Sequence, residues 1–281
     1  MRLSRFGMAL IAGCLFIAPL QGYAANAMKF EDIPPPPSQE ELKSIKKEKK
    51  ADDGEKSALP MDIRFEAVRE GALSYGARGG LAWRTYEIRR EMETRARYLD
   101  QVFDFRQLLI PAPSGLLIEP PIIGESLDAM TIEQGGLEAA VSDRYYNISR
   151  NARIVSAPRT WRAYLERQWG EVSPPPDLLR PENADERKKW EEYFDRGWKA
   201  GVEQADEIFQ ADLNKLTADY QGMVRYRTLL SQGMVSPPYA LQVDRGVTGG
   251  GNEMRVGDRA VSITGLPALQ PETQEWSPGS R

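Results

Sequence analysis

The run at residues 105–123, FRQLLIPAPSGLLIEPPII, restricts the fold more than any other part of the chain. It is apolar enough to be buried. Yet Pro111, Pro113, Pro120 and Pro121 each lack an amide donor and fix φ, which bars a single helix or a central strand. What remains is an extended segment crossing the core. The sequence on both sides reads as amphipathic helix, so the run is expected to be a buried spine on which those helices pack. Its flanking charges, Arg106 and Glu119, read as solvated or capping groups rather than as a ligand site.

Before the spine, Phe65, Val68, Ala72 and Tyr75 recur at helical spacing over residues 62–76, and Gly76, Gly79 and Gly80 are expected to end that helix. A second helix over 81–102 places Leu81, Ile88, Met92 and Leu99 on one side. Its outer surface carries Arg84, Arg89, Arg90, Arg95 and Arg97, balanced in part by Glu87, Glu91 and Glu93. After the spine, Leu137, Ala140, Val141, Tyr145 and Ile148 predict a third helix. Pro158 suits the first turn of a short helix containing Trp161, Tyr164, Leu165 and Trp169, which the prolines at 174–176 stop.

The longest helical pattern runs over 181–230 through Trp190, Phe194, Trp198, Ala205, Phe209, Leu216, Tyr220 and Met223. Gly197 and Gly201 sit four apart inside it. A glycine in a helix interior costs about 1 kcal/mol, so the pair predicts close approach of another backbone. Trp83, Trp161, Trp169, Trp190 and Trp198 are expected to divide between the core and subunit contacts.

Pro237 and Pro238 stop the long helix, and residues 239–248 have β character. Residues 249–252 read as a turn, and the Gly257-Asp258 pair as a tight hairpin. Pro267, Pro271 and Pro278 mark 266–281 as a disordered tail. The expected fold class is α+β, a mainly helical body at 61–265 with a small C-terminal antiparallel β segment.

Residues 1–27 form an export signal, in which Arg2 and Arg5 precede an apolar run that Pro19 and Gly22 close. Two cleavage readings overlap. Ile11-Ala12-Gly13-Cys14 has the pattern of a lipobox with Cys14 as the acylated residue, while cleavage after Ala24 or Ala27 suits the small residues there. Residues 28–60, with four prolines at 34–37 and a dense mixture of charges, read as a flexible tether.

The absence of histidine, and a single cysteine in 281 residues, exclude His-dependent triads, HExxH sites and Cys/His zinc sites. Glu203, Asp206, Glu207 and Asp212 line the long helix, but the Glu-x-x-His element of di-metal bundles cannot exist here. The glycine triplet at 249–251 lacks the Gly-Lys-Ser/Thr of a phosphate-binding loop. No cofactor or metal is expected. The net charge of −4 becomes about −6 once Arg2 and Arg5 are set aside, which argues against direct nucleic-acid binding.

Five stretches carry a resemblance: GGLAWRTYEI at 79–88, the spine at 105–123, NARIVSAPRTWRAYLER at 151–167, GVEQADEIFQADLN at 201–214, and QGMVSPPYALQVDRGVTGGGNEMRVGDRAVSITG at 232–265. In them the chain resembles the DotC/TraI family, lipoproteins of the type IVB (Dot/Icm) secretion apparatus and of IncI-type conjugation systems. The resemblance implies a scaffold and not an enzyme, held at the periplasmic face of the outer membrane by a lipid anchor on Cys14, which matches the family's acylated cysteine in role. It also implies partners: a DotD-like lipoprotein, a DotH-like protein that the two bring to the outer membrane, and DotG-like and DotF-like components of the same ring. Two other readings compete. An envelope peptidoglycan hydrolase would use Glu119 or Glu125 and would need a carboxyl with a raised pKa. A periplasmic carrier would hold an apolar ligand.

Overall fold

Glycines set where the two longest helices meet. In a computed structural model of the chain, which describes residues 30, 33–46, 61–112, 115–133 and 138–276, α2 (Met61–Thr94) and α5 (Ala184–Ser231) lie side by side and run in the same direction. The expected stop at Gly76, Gly79 and Gly80 does not occur, and α2 continues through all three. A β-carbon at Gly76 would overlap the carbonyl oxygen of Phe194, and one at Gly80 that of Trp198. From the other side, a β-carbon at Gly197 would overlap the carbonyl oxygen of Leu73, and one at Gly201 that of Ala77. The close approach expected from Gly197 and Gly201 is therefore made within the chain, against a matching glycine pair one turn apart on α2. The contact between backbones offsets the poor helix propensity of all four.

Ion pairs mark both ends of this seam. Arg64 donates to Glu186 at 3.0 Å and Arg84 to Asp206 at 2.8 Å, and both pairs join residues 122 apart in sequence. The helices thus stay in phase for about 30 Å. Asn183 caps α5 by accepting from the Glu186 amide at 2.8 Å. Around the seam, Val68, Ala72 and Tyr75 pack on Trp190 and Phe194. Farther along, Met92, Leu216 and Met223 pack with Phe105, Leu108, Ile122, Trp161 and Leu165. Of the five tryptophans expected at the core or at subunit contacts, Trp161 and Trp190 are buried in the core, and Trp83, Trp169 and Trp198 are half-buried.

The chain divides into the units Met1–Pro34 and Pro35–Arg281, and the structural description concerns the second. The export signal and Cys14 lie outside the described residues. Part of the expected tether is instead fixed to the helix pair. Ser38 and Glu41 form a reciprocal cap on α1 (Gln39–Lys43), Leu42 is buried against Gly79, and Gln39 and Lys43 donate to Asp195 at 3.1 and 2.6 Å. Residues 47–60 lie outside the described residues.

The second predicted helix corresponds to the back half of α2 and to α3 (Ala96–Val102), with Arg95 at the junction. The spine is buried as expected at Phe105, Leu108 and 118–123, but it doubles back instead of crossing once. β1 (Ile110–Pro111) pairs antiparallel with β2 (Leu117–Glu119), which pairs in turn with β5 (Arg153–Val155). Pro120 and Pro121 are fully buried where the β2 ladder ends and no donor is needed.

The third predicted helix is a strand. β3 (Ile122–Glu133) and β4 (Glu138–Arg150) form a long antiparallel hairpin. Val141, Tyr145, Tyr146 and Ile148 are β-branched or aromatic and favour pleated backbone, and the preceding strand supplies the partner that the helical spacing concealed. The short helix α4 (Arg162–Leu165) ends before Trp169.

Past α5, β6 (Tyr239–Gly250) and β7 (Glu253–Gly265) form a second hairpin closed by Gly251 and Asn252, with Gly251 at φ 63° as a primed two-residue turn requires. Gly257, expected in a hairpin turn, lies within β7 at φ 71°. The register steps from Val256 opposite Val247 to Asp258 opposite Gly246 and leaves Gly257 over as a bulge. The segment expected as a disordered tail is pinned as far as it is described: Val235 bridges Leu269, Ser236 donates to the Ala268 carbonyl, and Gln270 donates to the Met234 carbonyl, both at 2.9 Å. The fold is α+β.

Adding one methyl group to the seam tests it. Gly201→Ala is expected to lower unfolding free energy by about 2–3 kcal/mol in urea titration although alanine is the better helix former. Gly170→Ala, where a β-carbon meets nothing within 4 Å, should change it by less than about 0.5 kcal/mol.

Candidate interaction surface

Three residues of α5 spaced three apart, Asp219, Gly222 and Arg225, grip the root of the first hairpin. Spacing by three brings successive side chains to one face of the helix. A β-carbon at Gly222 would press into the Ile122 side chain and the Ile123 backbone, so glycine lets β3 start directly on the helix. Arg225 donates to the Ile123 carbonyl at 2.6 Å and to Glu125 at 3.0 Å. Asp219 accepts from Arg150 and Arg159, each at 3.1 Å, and from the Tyr164 hydroxyl at 2.7 Å. Burial and the hydrogen bond to Asp219 hold the Tyr164 phenol above its ordinary value, so it remains a donor at neutral pH.

Arg159 ties this row to the spine, reaching Glu119 at 2.6 Å while Arg153 reaches it at 3.1 Å. Glu119, expected to be solvated or capping, is 2% exposed and held between two arginines. Arg106 is solvated, with Asp104 at 3.5 Å. Burial pushes the Glu125 carboxyl up, but hydrogen bonds from Tyr146 and Arg225 and the charges of Arg225 and Arg144 outweigh it, so Glu125 titrates below the usual carboxylate range. A general acid needs the opposite shift. Along α5, Asp206 and Asp212 are engaged by Arg84 and Arg167, and Glu203 lies 3.8 Å from Lys199. Among the described residues no group of three or more acidic, cysteine or histidine side chains is placed to hold a metal ion.

The two hairpins mounted at this end are two-stranded sheets, and among the described residues no further strand pairs with their outer edges. Of the seventeen exposed large hydrophobic residues among those described, ten stand on them. Leu127, Met130, Val141 and Tyr145 are on the first, and Tyr239, Leu241, Val243, Val247, Met254 and Val256 on the second. Several face each other across the ladder and shield nothing: Met130 pairs with Val141, and Val247 with Val256, which is 74% exposed. An isolated two-stranded hairpin is marginal in water, and unpaired edges are templates for another chain. Between the first hairpin, the end of α5 and the pinned C-terminal segment lies a cleft of about 770 Å³, lined in part by Tyr146, Leu229, Met234, Leu269 and Trp276. No described helix is long and apolar enough to cross a membrane.

The row Asp219, Gly222 and Arg225 was not singled out from sequence. A lone interior glycine in a long helix is the signal that points to it, by the same reasoning that applies to Gly197 and Gly201.

Because the folded carboxyl of Glu125 titrates below its unfolded value, its contacts stabilise the fold above the unfolded pKa and lose that contribution as pH falls through the folded one. In an NMR titration Glu125 should change protonation below the ordinary range, and Arg225→Leu should move it upward. The melting temperatures of the two proteins should differ at neutral pH and converge in acid.

No curated protein matches the chain. Residues 62–278 match a TraI family model described as type IV secretory system, conjugal DNA-protein transfer. That match covers most of the sequence, including both helices of the seam and both hairpins, and the chain therefore belongs to the TraI family of type IV secretory system proteins.

Proposed function

We propose that this chain is a structural lipoprotein of the outer-membrane core complex of a type IVB secretion or conjugation system. In this reading Cys14 is acylated and anchors the protein at the periplasmic face of the outer membrane. The body acts with a DotD-like lipoprotein to place a DotH-like protein there, beside DotG-like and DotF-like components, without catalysis or a cofactor. The observation that carries the proposal is the concentration of exposed apolar side chains on two unpartnered hairpins, which suits a protein whose surfaces are its function. The grip of the helix pair on residues 39–43 supports it too, because a chain running from an anchor is then fastened to the rigid part of the body. A signal cysteine that receives more than one acyl chain supplies stable membrane affinity where a single chain gives only marginal binding.

The hydrolase reading is disfavoured by Glu119, which two arginines neutralise, and by Glu125, whose carboxyl is shifted the wrong way. The carrier reading has the cleft at the end of α5 in its favour, and an apolar ligand copurifying with detergent-free protein in native mass spectrometry would support it.

Intact mass and detergent partitioning of the protein from envelope fractions, beside Cys14→Ser, test the proposal. The expected result is a mature chain beginning at Cys14 with added acyl mass, and loss of both that mass and outer-membrane fractionation in the variant. An unmodified chain beginning at Ala25 or Met28 would overturn the anchor.

A further inference from the structure

Gly76 and Gly80 of α2 belong to the seam, but Gly79 faces elsewhere. A β-carbon there would meet the Leu42 side chain of α1 at 2.6 Å, ahead of the Trp198 ring at 3.0 Å. Glycine is unfavourable inside a helix, so a contact has to justify it. The contact is a notch that seats Leu42, which is 5% exposed.

α1 has five residues, too few to hold together alone in water. Its surroundings hold it. Leu42 and Ile45 pack with Tyr75, Trp190 and Phe194. Gln39 and Lys43 converge on one acceptor, Asp195, at 3.1 and 2.6 Å. Arg187 donates to the Ile45 carbonyl at 3.2 Å and Arg180 to the Lys46 carbonyl at 3.3 Å, and Pro36 is buried ahead of the cap. α2, α5 and the segment leading into α5 therefore all grip the same short stretch. A linker that merely passes by needs neither a notch nor a shared acceptor.

We propose that residues 36–46 are a clasp: they fasten the N-terminal part of the chain to the middle of the helix pair, so that a pull from that side enters the body at Gly79 and Asp195 and not at the first turn of α2. The clasp limits reach. The chain from Cys14 to Ser38 spans at most about 85 Å, and that from Cys14 to Met61 about 165 Å, so the fastening roughly halves the distance at which the body can stand from an attachment at Cys14. It also sets the point of attachment about 36 Å along α5 from Asp219, where the first hairpin is gripped. The limit on reach rests on the anchor proposed above. The clasp does not, because its contacts all lie between residues 36–46 and the body, and loss of the anchor would leave it in place.

The test uses the full chain bearing Cys14→Ser, so acylation plays no part. The amides of Leu42, Ser44 and Ile45, which donate within α1 and its cap, should exchange with deuterium at least about tenfold more slowly than an unstructured chain. Gly79→Ala should speed them about tenfold although alanine is the better helix former, and Asp195→Ala should do the same, while α2 and α5 keep their protection. Once Leu42→Ala has emptied the notch, adding Gly79→Ala should change these amides by less than about twofold. A force measurement reads the fastening directly. Pulled between its N-terminus and a handle at Lys199→Cys, which is 80% exposed, the chain should lengthen in a first step of at most about 85 Å, the extended length of residues 36–60, and Leu42→Ala should lower the force of that step. Amides at 42–45 that exchange as in an unfolded chain would overturn the proposal. So would protection there that Gly79→Ala leaves unchanged or raises, or a first step that Leu42→Ala does not alter.

Discussion

Backbone contact between α2 and α5 at four glycines is the constraint from which the rest of the structure follows. Gly76 and Gly80 meet the backbone of Phe194 and Trp198, and Gly197 and Gly201 that of Leu73 and Ala77, at distances that leave no room for a side chain. The two helices therefore run parallel and in phase, from the Arg64–Glu186 pair to the Arg84–Asp206 pair. Parallel neighbours cannot be joined by a short loop. The chain leaving α2 must return along the length of the pair before α5 can begin, and residues 95–183 make that return. The proline-rich run, the small sheet of β1, β2 and β5, and the first hairpin are all parts of this path. The buried prolines fit it because a returning segment wedged against helices needs few backbone partners.

The far end of α5 then serves as a mount. Asp219, Gly222 and Arg225 hold the start of β3, and Arg159 links Asp219 to Glu119 on the spine, so the root of the first hairpin is fixed by part-buried, charge-assisted hydrogen bonds. Removing either acid would leave arginines facing an incomplete site, and such buried clusters favour one geometry over alternatives. The second hairpin follows directly from the end of α5, and the C-terminal segment pinned to residues 234–236 braces its base. Among the described residues the outer parts of both hairpins have no such support. A rigid helix pair carrying two unsupported hairpins suits a component that completes its sheets with neighbours.

Some of this was legible in the sequence. The spacing of Gly197 and Gly201 announces a backbone contact because glycine there has no other benefit, and the apolar period over 181–230 describes α5 nearly to its ends. Gly76, Gly79 and Gly80 mislead because the same residue that ends a helix also permits a close helix contact, and only the partner decides which. At 137–148 the apolar spacing matches a helix by coincidence, and the strand that outweighs it lies earlier in the chain. Glu119 reads as solvated because Arg153 and Arg159 lie 34 and 40 residues away, beyond any local pattern. Gly257 carries the signature of a turn but supplies a bulge. Family membership came from long irregular stretches of sequence, which encode shared ancestry and not a physical rule.

Hydrogen–deuterium exchange of the full chain, alone and within purified envelope complexes, addresses the central claim most directly. In the isolated protein, amides of α2 and α5 around the glycine seam should be strongly protected while the outward-facing amides of β4 and β7 exchange fast. In the assembled complex those strand amides should slow by orders of magnitude and the seam should not change. Strand edges that are already protected in the isolated chain, or that exchange equally fast in the complex, would contradict a rigid helix pair presenting its hairpins for assembly.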